Sequence, residues 1–250
     1  MALLQTPSRS DTHRAQLQTL AQDLARLQST PDRSGVAAVA TSGAPAIDDH
    51  LPGGGLRLGA LHEVTGRGAT GFATACAGRI AEVRPGLVVW CQHRRRVHDE
   101  GRLYGPGLGA FGLDGARLLV VDAEDDGEGL WVLEEALRST AVAVAVGEID
   151  ALDLFHTRRL QLAAEAGGGA GILLRPATPA LLPSAAVTRW QVMPHTTAEL
   201  GPPAWTAELW RVKGAVPARF EVSFDEQTLR FAVVATLADR SFPAGRQARG

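Results

Sequence analysis

The run LPGGGLRLGALHEVTGRGATGFA, residues 51–73, decides how the rest of the chain is read. It opens with a glycine-rich turn. Residues 60–64 follow as a short apolar strand, residues 66–71 as a second glycine-rich loop, and a helix is predicted from about Phe72. Strand, glycine loop and helix in that order form the frame of a phosphate-binding loop. That loop's pattern is Gly, four residues, Gly, Lys and then Ser or Thr. Gly66 and Gly71 have the spacing, with Arg67 and Gly68 between them. Phe72 stands where the Lys belongs and Ala73 where the hydroxyl belongs.

Backbone N–H groups in such a loop favour an anion whatever the side chains are. Without the ammonium, nothing in the loop neutralises the outer phosphates. Without the hydroxyl, the loop offers Mg²⁺ no ligand. The Phe72 ring is expected to lie where a triphosphate would sit. On spacing alone, an unrelated glycine-rich turn reads equally well in a chain with 28 glycines.

The flanks separate the two readings. VATSG at residues 39–43, AID at 46–48 and the run from Leu51 to Glu63 resemble the approach to the core of the RecA family. Within that superfamily the chain is similar to ImuA, the RecA-like accessory family of bacterial damage-induced mutagenesis. The resemblance also rests on LYGPGL at 103–108, WVLEEALR at 131–138, RRLQLAAEAG at 158–167 and AAVTRW at 185–190. No one of these is specific, but five segments in the right order are. They span roughly residues 36–235.

The resemblance implies an α/β fold of RecA type: a mostly parallel sheet flanked by helices, antiparallel C-terminal edge strands and an N-terminal helix. It implies a non-catalytic accessory role in the mutasome, in translesion synthesis during the SOS response. The implied partners are an ImuB-like inactive Y-family polymerase, RecA, and an error-prone replicative-type polymerase. Two other readings stay open: a divergent ATPase of RecA type, with Arg67 or a neighbour's arginine in place of the missing Lys, and a single-stranded-DNA-binding module using residues 94–96 and the basic tail. Self-association and a weak DNA contact stay open as well. No cofactor and no metal are expected.

Further substitutions along the chain point the same way. In RecA a carboxylate at the end of the second core strand activates water; here Gln92 lies near that point, and a neutral amide cannot take a proton. Glu148 lies near the Walker B position and reads as a remnant or a capping residue. Arg175-Pro176-Ala177 replaces a sensor Gln, and Lys213 aligns with a lysine that reaches a neighbour's ATP. Residues 148–157 and 175–187 match the DNA-binding loops of RecA. The first is acidic and the second proline-stiffened and nearly uncharged, which argues against strong DNA binding.

Composition sets the bounds. The chain has 250 residues and a net charge of −2, so global charge does not advertise a nucleic-acid partner. Two cysteines, Cys76 and Cys91, form neither a disulfide framework nor a zinc spacing. No apolar run reaches the length of a membrane span, and a cytoplasmic protein is expected.

Three segments are expected: residues 1–35 as N-terminal helix and linker, 36–235 as the core, and 236–250 as a flexible basic tail. Leu17, Leu20, Leu24 and Leu27 make one narrow stripe on an otherwise polar helix. That stripe packs either on its own domain or on a partner. Arg94, Arg95 and Arg96 meet phosphates or a partner's acidic surface, or form a solvated loop. Arg158 and Arg159 are the other nucleic-acid candidates. Residues 131–138 are expected as a helix with Trp131, Leu133 and Leu137 towards the sheet. The strands near 188–193, 204–213, 219–224 and 229–234 alternate like antiparallel strands.

Overall fold

The computed structural model describes residues 38–176, 182–195, 201–212 and 216–237. The predicted N-terminal helix, its leucine stripe, Lys213 and almost all of the tail lie outside these residues.

The described chain opens with β1 (Val39–Ala40), a four-residue helix α1 (Pro45–Asp48) and β2 (Leu56–Arg57), which pairs antiparallel with β1. Then β3 (Ala60–Thr65), α2 (Ala69–Val83) and β4 (Leu87–His93) follow. After β4 come α3 (Arg94–Glu100), α4 (Gly105–Gly109), a 3₁₀ turn, β5 (Leu118–Ala123) and α5 (Asp126–Arg138). The parallel part closes with β6 (Val142–Glu148), α6 (Leu154–Gly167), β7 (Ala170–Arg175) and β8 (Thr188–Pro194). The chain continues through β9 (Ala204–Val212), β10 (Ala218–Asp225) and β11 (Arg230–Leu237).

Nine strands form one sheet in the order β11-β10-β9-β8-β3-β7-β6-β4-β5. The pairs from β8 to β5 are parallel; those from β8 to β11 are antiparallel. The architecture is therefore α/β, with a mostly parallel sheet and antiparallel C-terminal strands. One expectation changes at β8. It pairs antiparallel with β9 but parallel with β3, because the chain from β7 crosses over β3 before laying down its next strand.

Helices cover both faces because the parallel strands are apolar on both faces. Along β4, Val88 and Trp90 join the α2 side, whereas Val89 and Cys91 join the α5–α6 side. On the α2 side the core holds Phe72, Ala73, Cys76 and Ile80 together with the aromatic residues of β8 to β11. On the other side Leu133, Leu137, Leu160 and Ala164 pack on Leu61, Ala145 and Leu173.

Several local expectations are corrected. Helix α2 begins three residues earlier than predicted, at Ala69. The arginine run 94–96 opens a helix, because His93 caps it by accepting from the Arg95 N–H. Helix α5 begins at Asp126, capped by the Asp125 carboxylate. Trp131 does not face the sheet; it is 37% exposed, and Val132, Leu133, Ala136 and Leu137 take the inner positions. Among the described residues no helix is long and apolar enough to cross a membrane.

Candidate functional site

The glycine loop is only residues 66–68, between the end of β3 and the start of α2. Gly66 has φ +99°, the left-handed region that glycine occupies without strain. A Cβ on Gly66 would run into the carbonyl oxygen of Val192. Gly68 donates its N–H to that same Val192 carbonyl at 3.0 Å. A Cβ on Gly68 would lie 2.6 Å from Trp205 Cδ1, and one on Gly71 3.1 Å from Trp205 Cζ2. These glycines are thus explained by close approach to β8 and to a β9 indole.

Anion binding by such a loop depends on N–H groups left without partners. Here Gly68 N–H is taken by Val192, and Ala69 N–H donates to Gly66 O at 3.1 Å. Arg67 is exposed, and Ala73 is fully buried in the core.

Phe72 does not lie at the mouth of the loop. Its ring is 2% exposed and sits 5.4 Å from Trp190, 6.0 Å from Trp205 and 5.2 Å from Phe231. The early start of α2 turns this position inward. Its ring is an anchor between the helix and the antiparallel half of the sheet.

Parallel pairing places the other expected positions on the same sheet edge. Thr65 is opposite Arg175, Leu174 opposite Glu148, and Gly147 opposite Cys91, the neighbour of Gln92. Glu148 is buried and accepts from the His93 backbone N–H at 3.2 Å and from Trp90 Nε1 at 3.4 Å. Burial pushes its carboxyl above the ordinary range, against those two hydrogen bonds and the nearby Arg96 charge. Arg175 is buried, donating to Leu152 O and lying 3.7 Å from Glu63.

Sequence reading missed the centre to which Arg175 belongs. Glu63 of β3 is 0% exposed, pairs with Arg189 at 2.7 Å and accepts from the Ser184 hydroxyl. A carboxylate flanked by two arginines on neighbouring strands ties β3, β7 and β8 together. The pattern is invisible locally because Glu63 is more than one hundred residues from either arginine.

The arginine candidates are largely neutralised. Arg94 pairs with Glu124, Arg96 with Asp150 at 2.8 Å, and Arg95 lies 3.8 Å from Asp99. Arg159 pairs with Glu134 and lies over the Phe155 ring. Arg158 is exposed and has no acidic partner among the described residues. The two groups of arginines lie on different elements, α3 and α6. No group of three or more potential metal-ligating side chains comes together among the described residues.

Between α5 and α6 lies a cleft of about 260 Å³, bordered by Leu130, Trp131, Glu134, His156, Arg159 and Leu160. Beside it Phe155 and Leu162 are 62% and 64% exposed. They stand seven residues apart on α6, a second apolar ridge opposite the buried one. The spacing is legible in sequence; that it faces outward is not.

No family model matches the chain. Protein ImuA of Caulobacter vibrioides, strain NA1000 / CB15N, is 38% identical over 237 residues, covering 84% of this chain and 95% of the relative. Protein ImuA of strain ATCC 19089 / CIP 103742 / CB 15 matches to the same extent.

Proposed function

This chain belongs to the ImuA family, and on that premise we propose that it is a non-catalytic accessory protein of bacterial damage-induced mutagenesis. It acts in the cytoplasm as a scaffold for an ImuB-like inactive polymerase, working beside RecA and an error-prone replicative-type polymerase. It uses no nucleotide.

One observation carries the non-catalytic reading: the closure of residues 66–68 against Val192 and Trp205, with the Gly68 N–H already bonded. A loop in this state lacks the ammonium, the hydroxyl and part of the backbone donor set that hold MgATP. Gln92 near the end of β4 adds no base.

The partner surface in this reading is the parallel edge of the sheet, at β5. Among the described residues β5 is bonded on one side only, to β4, and its Val120 is 40% exposed. An unpaired parallel edge accepts a partner strand by backbone hydrogen bonds. The test is a pull-down of the purified chain with a purified ImuB-like protein, against Val120→Pro. A complex at micromolar concentration that the proline weakens supports the reading. No complex contradicts the scaffold role, and a complex indifferent to the proline removes the β5 edge.

A further inference from the structure

We infer that the leucine stripe of residues 17–27 docks in cis on the outer face of α6, covering Phe155 and Leu162. The described chain begins at Ala38, whose carbonyl accepts from Leu58 N–H at 2.8 Å. Val39 pairs with Arg57 and Ala40 with Leu56. Ala38 therefore lies at the Gly59 end of this strand pair. Gly59 in turn touches α6. Its carbonyl accepts from the Gln161 side chain at 3.2 Å, and a Cβ there would lie 3.7 Å from Ala164 O. Leu162 is the next residue after Gln161. The described chain thus begins on the side of the fold where the exposed ridge stands.

Reach and shape agree. Ten residues, 28–37, separate the stripe from Ala38 and span up to about 33 Å when extended. The ridge from Leu162 to Phe155 is about 10 Å long, and a helix from Leu17 to Leu27 about 15 Å. A narrow leucine stripe matches a narrow ridge of two side chains. Asp23 stands beside Leu20, Leu24 and Leu27 on such a helix, and Arg158, without an acidic partner among the described residues, lies between Phe155 and Leu162 on α6. A ridge of two large apolar side chains, more than three-fifths exposed, is the surface such a stripe buries.

The test is a double-mutant cycle on the full chain, read as the thermal midpoint at two protein concentrations. Leu20→Asp with Leu24→Asp and, separately, Leu162→Asp are each expected to lower the midpoint by about 3–6 °C. All three together are expected to do no more than the worse of the two. A midpoint unmoved by Leu162→Asp, or additive effects, overturns the inference. Concentration-dependent effects also overturn it, because they mark docking between copies. A second readout pairs Leu162→Cys with Cys at position 17, 20, 24 or 27 in turn under mild oxidation. Native Cys76 and Cys91 are buried and do not compete. At least one pair is expected to cross-link within a monomer; cross-links only between chains, or none in any pair, overturn the inference.

Discussion

The backbone N–H of Gly68 donates to the carbonyl oxygen of Val192 at 3.0 Å. This bond joins the loop after β3 to the strand beside it. In a phosphate-binding loop that N–H faces the ligand. Here it works for the fold, and the glycines around it are kept small by β8 and Trp205.

The first consequence concerns Gly68 and Gly66. Gly68→Ala is expected to displace Trp205, and Gly66→Ala to strain a backbone at φ +99°. Each should destabilise the chain by about 1–3 kcal/mol in chemical denaturation. A ligand loop open to solvent would tolerate Gly68→Ala with little loss.

Phe72→Ala should cost about 3–5 kcal/mol, because the ring is shared by Trp190, Trp205 and Phe231. A urea titration followed by tryptophan fluorescence measures this. A loss below 1 kcal/mol would place the ring at the surface (on the order of a rim contact).

Removing Glu63 leaves Arg175 and Arg189 as buried, uncompensated charges. Glu63→Ala is therefore expected to cost about 3–5 kcal/mol. Adding Arg189→Met should recover part of that loss, since one stranded charge is gone. If the second substitution makes matters worse, the three groups do not act as a unit.

His62 gives a pH dependence. Its Nε2–H donates to Arg57 O at 3.0 Å. Its Nδ1 accepts from the Thr188 hydroxyl at 2.7 Å, and that hydroxyl accepts from Trp190 Nε1. Burial holds the ring neutral, with its pKa lowered from 6.5 to about 4. The unfolded chain takes up a proton near pH 6.5 that the folded chain refuses until about pH 4. Stability from this group is complete above pH 6.5, falls through that window, and levels off below it, by roughly 3 kcal/mol in all. Glu148, whose carboxyl is raised, works in the opposite sense. Comparing stability against pH for the native chain and His62→Gln isolates the histidine; identical slopes would contradict its neutral burial.

Both thiols are expected to resist reagents. Burial pushes the Cys91 thiol up to about 12, aided by Glu148, and the Cys76 thiol higher still. A thiolate is the reactive form. Labelling at mildly alkaline pH should proceed only after denaturation, and fast labelling of the folded chain would contradict the packing around them.

Much of this is legible from residues alone. Apolar runs such as residues 86–91 and 141–146 read directly as buried strands because both faces of a parallel sheet are covered. The frame around Gly66 and Gly71 is legible for the same local reason. What Phe72 does is not, since its partners come from β8, β9 and β11, more than one hundred residues on. Glu63 with Arg175 and Arg189 is hidden in the same way. On α6 the structure turns Leu160 and Ala163 inward. The sequence alone does not tell that Phe155 and Leu162 stay outside, because that depends on where α5 lies.

The most direct measurement is calorimetric titration of the full chain with MgATP, accompanied by a phosphate-release assay. With Gly68 bonded to Val192 and Phe72 in the core, no saturable binding is expected at millimolar nucleotide, and no phosphate release above background. Saturable binding, or phosphate release rising in proportion to protein concentration, would contradict a closed loop.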